Sequence, residues 1–272
     1  MRQRAAGWVP GLAAAGIGAQ VCYPLLAGSA LRAATQAGVL LLAAAAVAHV
    51  ARAGGWRAAV GLVAVAGGIG WAAEVIGVHT GVPFGRYQYA GSLGPELLGV
   101  PLLVPPAWIM MSYPCLLLGR AARHRPADVA LTGGLALASW DLFLDPQMVS
   151  DGHWTWRDPR PALPGVPDVP LTNYAGWILV AVLLVAALHR ALPTVGEGSL
   201  AFPAAVLGWT WAGSVLGNLV FFGRPWVALY GGLVMGAFVV PFLRRWAASR
   251  TIRSIGGVPD VVPDSARARE AL

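Results

Sequence analysis

Apolar residues run along this chain in eight long stretches, at about 8–30, 33–51, 57–78, 97–119, 127–144, 172–189, 201–222 and 226–243. Most approach the ~20 residues an α-helix needs to cross a hydrocarbon core about 30 Å thick. None alternates apolar and polar positions as a half-buried strand does, and in lipid only helices or closed barrels satisfy every backbone polar group. The pattern predicts an all-α, polytopic transmembrane bundle of about eight helices, or seven if the alanine-rich second stretch does not span. The seventh and eighth stretches are parted only by Gly223, Arg224 and Pro225, which predicts a tight helical hairpin. The first follows Arg2 and Arg4 as a signal peptide would. Its apolar run is longer than a signal peptide's and no cleavage site ends it, so it reads as a first membrane helix.

Composition agrees with this reading. Only 11% of residues are charged and 57% are hydrophobic, with a mean hydropathy of +0.64; a soluble domain carries about 25% charged residues. The 272 residues fit one transmembrane domain, 1–248, followed by a charged, apolar-poor tail, 249–272, expected to be disordered. The net charge is +7 and every one of the 19 basic residues is Arg. With the N-terminus inside, 14 arginines (2, 4, 52, 57, 120, 123, 125, 190 and all from 244 onward) share one face, against five (32, 86, 157, 160, 224) on the other. That asymmetry follows the positive-inside rule and predicts cytoplasmic N- and C-termini in a multi-pass cell-membrane protein. It also accounts for the basic charge without nucleic acid. Cys22 and Cys115 lie in apolar stretches and read as packing residues rather than a disulfide.

The acids distribute the other way. Glu74, Glu96, Asp141, Asp145, Asp151, Asp158 and Asp168 all map to the outer loops or outer helix ends, around two long loops at about 79–96 and 145–171. A site, if present, opens there. Glu74 stands inside an apolar stretch, where a carboxylate costs about 2.5 kcal/mol or more near the bilayer centre and is a functional candidate by default; the plainer reading is a snorkelling or loop-bonded side chain. His79 is either a base or a histidine bonding local backbone. Gly81, Pro83 and Gly85 are turn formers that aim Tyr87 and Tyr89.

Asp141 and Asp145, in SWDLFLDP, are four apart and so share one helical face about 6 Å apart. Two such carboxyls in a dry place cannot both ionise cheaply, which suits one of them to general-acid work; alternatively Asp145 bonds the loop and Asp141 pairs with an Arg. Pro146 is expected to end their helix. Trp154 and Trp156, alternating in DGHWTWRDP, suggest a short extended lid whose π-faces could stabilise a cation, or else belt anchors at the interface. Asn173 could cap the sixth helix or bond a substrate or water. Asn218 reads as interhelical glue, and Trp108 as a weaker cavity-lining candidate. No GxSxG, Walker, Rossmann or HExxH motif is present, and the five histidines are scattered, which argues against oxygen-dependent di-iron chemistry and gives no metal site.

These residues resemble a known family. E-x-x-G-x-x-T-G-x-P-F-G-x-Y-x-Y (Glu74–Tyr89), GVP (99–101), WDLFLDP (140–146), WTW (154–156) and NYAGW (173–177) are similar in order to the CruF-type membrane carotenoid hydratases, the carotenoid 1,2-hydratases and bisanhydrobacterioruberin hydratases. The likeness spans about 65–180. It implies addition of water to a terminal isoprenoid double bond of a C40 or C50 carotenoid (lycopene, γ-carotene or a C50 carotenoid), with no cofactor and with other enzymes of the pathway as further partners. Under that resemblance Asp141, Asp145 and Glu74 would be catalytic, with the split of acid and base open. Tyr87, Tyr89, Trp154, Trp156, Asn173, His79 and Trp108 would line the substrate site. The rival from another class is a transporter or a lipid- or pigment-binding protein using the acids as a proton relay, which inverted repeats and midplane acids would favour. An isomerase, a cyclase or an accessory subunit acting on the same pigments is a third reading.

Overall fold

A computed structural model describes residues 8–194, 196 and 200–255. The chain is helical nearly throughout: α1 (Trp8–Cys22), α2 (Gly28–Leu62), α3 (Gly68–Thr80), α4 (Val104–Ala122), α5 (Pro126–Ser150), α6 (Leu171–Ala191), α7 (Ala201–Val220) and α8 (Pro225–Ile255). Proline stands in the first turns of α4, α5 and α8, where its missing N–H and fixed φ cost nothing. The α2–α3 segment continues through a π-helical turn, Val63–Gly67, and Thr80 is followed by a left-handed Gly81 whose N–H caps the Gly77 carbonyl at 2.7 Å. Four helical runs are long and apolar enough to cross a membrane: Gly28–Thr80, Pro126–Ser150, Leu171–Ala191 and Pro225–Thr251. This is a helical membrane protein.

The second and third predicted helices are both present, and the α2 run joins them across a break in the helical backbone. The break is at Gly55, whose φ of 76° lies in the region that only glycine adopts freely. Boundaries elsewhere shift for physical reasons. The first helix ends at Cys22, where a 3-10 turn (Tyr23–Leu25) carries the chain toward α2. The fourth begins at Val104 because residues 96–101 pair into a ribbon. Pro146 does not end α5, which runs on to Ser150 with the proline inside it; membrane helices tolerate this when neighbours satisfy the freed carbonyl. Helix α8 passes the expected tail start at 249, and residues 256–272 lie outside the described residues.

Helix α4 is buried on every side from Trp108 to Gly119 and packs against α2, α5, α6 and α7, so it is the axis of the bundle. Close approach to α5 depends on Gly119 and Gly133. A methyl group added at Gly133 would sit 2.7 Å from the Cys115 carbonyl oxygen, and one at Gly119 the same distance from that of Val129. Small residues thus replace the hydrophobic drive that is absent between helices in lipid. At one end of the bundle Arg120 ties α4 to the end of α6, donating to the carbonyls of His189, Leu192 and Pro193 at 2.7–2.9 Å.

The other end carries the long connections. Three antiparallel ribbons form there, none of them expected from the sequence: β1 (Tyr87–Tyr89) with β4 (Trp154–Trp156), β2 (Glu96–Leu97) with β3 (Val100–Pro101), and β5 (Ala162–Leu163) with β6 (Val166–Pro170). The first matters most for function. Its register pairs Tyr87 with Trp156 and Tyr89 with Trp154, joining two loops that are some 65 residues apart in sequence.

Candidate active site

Three carboxyl groups are buried beneath the β1–β4 ribbon. Glu74 projects from α3, and its Oε2 accepts the Tyr87 hydroxyl at 2.5 Å and the Tyr89 hydroxyl at 2.9 Å. The Tyr87 hydroxyl also lies 3.3 Å from the Glu74 carbonyl. Asp141 and Asp145, one turn apart on α5, are 0% and 3% exposed. The amide nitrogen of Asn173, in the first turn of α6, donates to Oδ2 of both: 2.7 Å to Asp141 and a short contact to Asp145. Two carboxyl oxygens on one nitrogen can be no further apart than two hydrogen bonds. The far oxygen of Asp141, Oδ1, is buried with no partner among the described residues. Glu74 is near enough to both aspartates to act on them electrostatically.

Outside the spans, burial and the negative charge of Glu74 push the Tyr87 and Tyr89 phenols well above their ordinary range. Both therefore stay protonated and serve as donors.

Aromatic rings build the walls. Trp108 stacks on Trp177 at 4.4 Å, and Trp140 meets Trp177 edge-on at 6.0 Å. Across the ribbon Tyr87 packs on Trp156 at 5.7 Å and Tyr89 on Trp154 at 5.6 Å. The Trp156 indole is fixed by donation to the Phe84 carbonyl at 2.9 Å, which ties the lid to the turn after α3. Together these side chains surround a mainly apolar cavity of about 560 Å³. Glu74, Asp145 and Asn173 reach it as polar groups, beside Tyr87, Tyr89, Trp108, Trp154 and Trp156.

Of the residues singled out in the sequence, the structure gathers all but two around this space. Asp141 does not face the cavity; it lies behind Asp145, joined through Asn173. His79 is exposed at the end of α3, with Nδ1 on the Val75 carbonyl at 2.9 Å, and takes no part. Asn173 does not cap its helix, which begins at Pro170 without a side-chain cap; its amide is taken by the acids instead. Among the described residues neither aspartate has an arginine partner. Asn218 turns its amide back onto Ser214 of its own helix, at 2.9 Å. Sequence reasoning missed Trp140 and Trp177, although both stood inside the quoted WDLFLDP and NYAGW; Trp177 is four positions from Asn173 and so on its helical face, and Trp140 directly precedes Asp141. Among the described residues no group of three or more His, Cys, Asp or Glu side chains could hold a metal ion.

A helical membrane bundle whose apolar cavity is walled by stacked aromatics and edged by buried carboxyls defines a class: a membrane protein with an aromatic, carboxyl-lined cavity among its helices. Residues 35–239 match the family described as carotenoid biosynthesis protein, and the chain belongs to that family. It is 40% identical over 119 residues to the bisanhydrobacterioruberin hydratase of Haloarcula japonica, a match covering 41% of this chain and 39% of that protein. The aligned part is thus well under half of that relative's length. No solved structure is significantly similar.

Proposed function

We propose that this chain adds water to a terminal isoprenoid double bond of a C40 or C50 carotenoid, by acid catalysis through a tertiary carbocation. The observation that carries the reading is the meeting, in one aromatic cavity, of a carboxyl pair poor in donors and a carboxylate rich in them. Asp141 and Asp145 share a single amide donor, with Trp154 beside Asp145, and one of their oxygens has no partner among the described residues. Two adjacent acids in such a place are held together by a proton. Glu74 instead receives two phenols, the surroundings of an ionised carboxylate.

The steps follow from that division. Asp145, the member that reaches the cavity, delivers the pair's proton to the hydrogen-bearing carbon of the trisubstituted alkene. The π-electrons form the new C–H bond and leave a tertiary cation. The faces of Trp154, Trp156, Tyr87 and Tyr89 lower its energy. Water attacks the cationic carbon, and Glu74 takes the proton that the bound water loses. The proton then returns from Glu74 to the pair, and the net change is one water added. The bisanhydrobacterioruberin hydratase named above supports hydration as the reaction. The arginine asymmetry supports a cell-membrane location with the ribbon end outward.

A proton relay for transport fits less well. The acids stand near the ribbon ends of α3 and α5, with Glu74 and Asp145 within two turns of Thr80 and Ser150. The test is expression in hosts making lycopene, γ-carotene or a C50 carotenoid, followed by mass analysis of the pigments. A product heavier by one water is expected from at least one of them; unchanged pigments beside folded protein in all three would refute hydration.

A further inference from the structure

The cavity is not closed on all sides. Four of its lining side chains, Val21 and Leu25 at the end of α1 and Leu216 and Phe221 at the end of α7, are 50%, 76%, 56% and 52% exposed. A residue that lines the cavity while half or more of its surface is bare lies at an edge of the cavity. These four are all apolar, and they come from the two elements that face each other across one seam. The seam is bridged at two places. The Trp209 indole donates to the Gln20 side-chain oxygen at 2.7 Å, joining α7 to α1. Further along, Tyr23 donates to Asp151 and meets Phe222 edge-on at 6.0 Å, while Arg224 lies 3.9 Å from Asp151 and over the Phe222 ring. Between those bridges the two helices are joined by no hydrogen bond among the described residues. Thr35 and Val39 of α2, with Gly213, Ser214 and Gly217 of α7, continue the lining inward, small or slim side chains that leave room for a chain.

We propose that this seam between the end of α1 and α7 is a lateral doorway through which the polyene passes from the bilayer into the cavity. The proposal rests on the hydratase reading only in taking the ligand to be a long isoprenoid chain. Three features argue for that occupant. The opening is continuous with the cavity that ends at Asp145 and Glu74. Its rim is apolar where it faces lipid, so a hydrocarbon crosses it without desolvating polar groups. And a carotenoid is about as long as the bilayer is thick, so its reacting end can reach the acids while the rest of the chain stays in lipid. A water-soluble ligand would instead need a polar mouth among the ribbons.

The chain supplies its own probe. Cys22 is a free, exposed thiol between two seam residues, whereas Cys115 is buried. The protein in proteoliposomes is treated with a bulky maleimide, and the rate at which it captures lycopene is read as pigment absorbance retained per protein after purification. Capture by the labelled protein should fall at least tenfold, and Cys22→Ser, carried through the same treatment, should capture at the untreated rate. Val21→Trp, which fills the seam without a label, should slow capture in the same way. Undiminished capture by labelled protein and by Val21→Trp would place the entrance elsewhere and overturn the proposal. Loss of capture in treated Cys22→Ser as well would assign the effect to something other than the seam and overturn it too. Capture is measured apart from turnover: capture blocked by the label, with no hydrated product from any sample, sustains the doorway and counts against the hydratase.

Discussion

Replacing the two aspartates one at a time separates the roles that their geometry gives them. Asparagine keeps the shape and leaves a carbonyl oxygen to accept the Asn173 amide, so neither change opens a hole in α5. What is lost is the transferable proton. General-acid catalysis contributes about 10²–10⁴-fold in rate, which at about 1.36 kcal/mol per factor of ten is about 2.7–5.4 kcal/mol of barrier. Asp145 faces the cavity and Asp141 lies behind it, so Asp145→Asn should show the whole loss. Asp141→Asn removes a partner that never meets the substrate, and should lower the rate by about 10-fold to 10²-fold. The assay is hydrated pigment formed per unit of folded protein, with chromatographic monodispersity as the control for folding. Equal or reversed losses would break the inference from cavity exposure to proton donation, and full activity of Asp145→Asn would remove the pair from the mechanism.

Other consequences are as specific. Asn173→Leu strips the shared donor from two buried acids; two hydrogen bonds to such groups amount to about 3–6 kcal/mol, so a marked drop in melting temperature should accompany loss of activity. Tyr87→Phe and Tyr89→Phe each leave Glu74 a remaining phenol, but the double variant leaves neither, so its loss should exceed the sum of the singles by about 0.5–3 kcal/mol in a double-mutant cycle. Trp177→Ala removes the ring that stacks on Trp108 and meets Trp140 edge-on, and should destabilise by about 3–5 kcal/mol, read by thermal unfolding. His153 lies beyond the end of α5, with Nδ1 on the Ser92 hydroxyl at 2.7 Å. Burial pulls its pKa below the ordinary ~6.5 against the opposing pull of Asp151. The unfolded ring binds a proton first on acidification, so the stability it contributes is present above about pH 6.5 and is lost as pH falls below that value; His153→Gln should flatten the melting temperature between pH 7 and 5.

The helices were legible because lipid allows so few alternatives. Runs of apolar residues near the thickness of a bilayer admit one backbone solution, and the arginines and acids separate by end. The carboxyls were legible for the converse reason, since an acid in an apolar helix must have a use or a partner. What could not be read were the partners across sequence distance. Nothing in WTW or YQY announces that Trp156 will lie opposite Tyr87, because three-residue strands carry too little alternation to register. The Asn173 amide was equally ambiguous: at a helix start an asparagine reads as a cap, and only the packing of α6 on α5 turns it toward two aspartates. His79 misled by its place beside Glu74. Five residues on a helix is about 500° of rotation, so the two side chains point well apart.

The family match also separates chemistry from access. Residues 35–239 contain Glu74, both tyrosines of β1, the aspartate pair, the tryptophans of β4 and Asn173, the whole set assigned to the reaction. Helix α1 and the Tyr23–Leu25 turn, one wall of the seam, lie before that stretch. The other wall, α7, lies within it. Helix α7 is tied by a tight hairpin to α8 and α1 by the Tyr23–Leu25 turn to α2, and the two walls meet each other through the Gln20–Trp209 bond and the Tyr23 contacts. Each wall packs more closely on its own hairpin neighbour than on the other wall, so the seam is where they can part when a rigid polyene enters. Breaking its tether tests this directly: Trp209→Phe keeps the ring but loses the 2.7 Å bond to Gln20, and should speed pigment capture while leaving the hydration rate of captured pigment unchanged. Slower capture would mean that the bond shapes the doorway rather than restrains it.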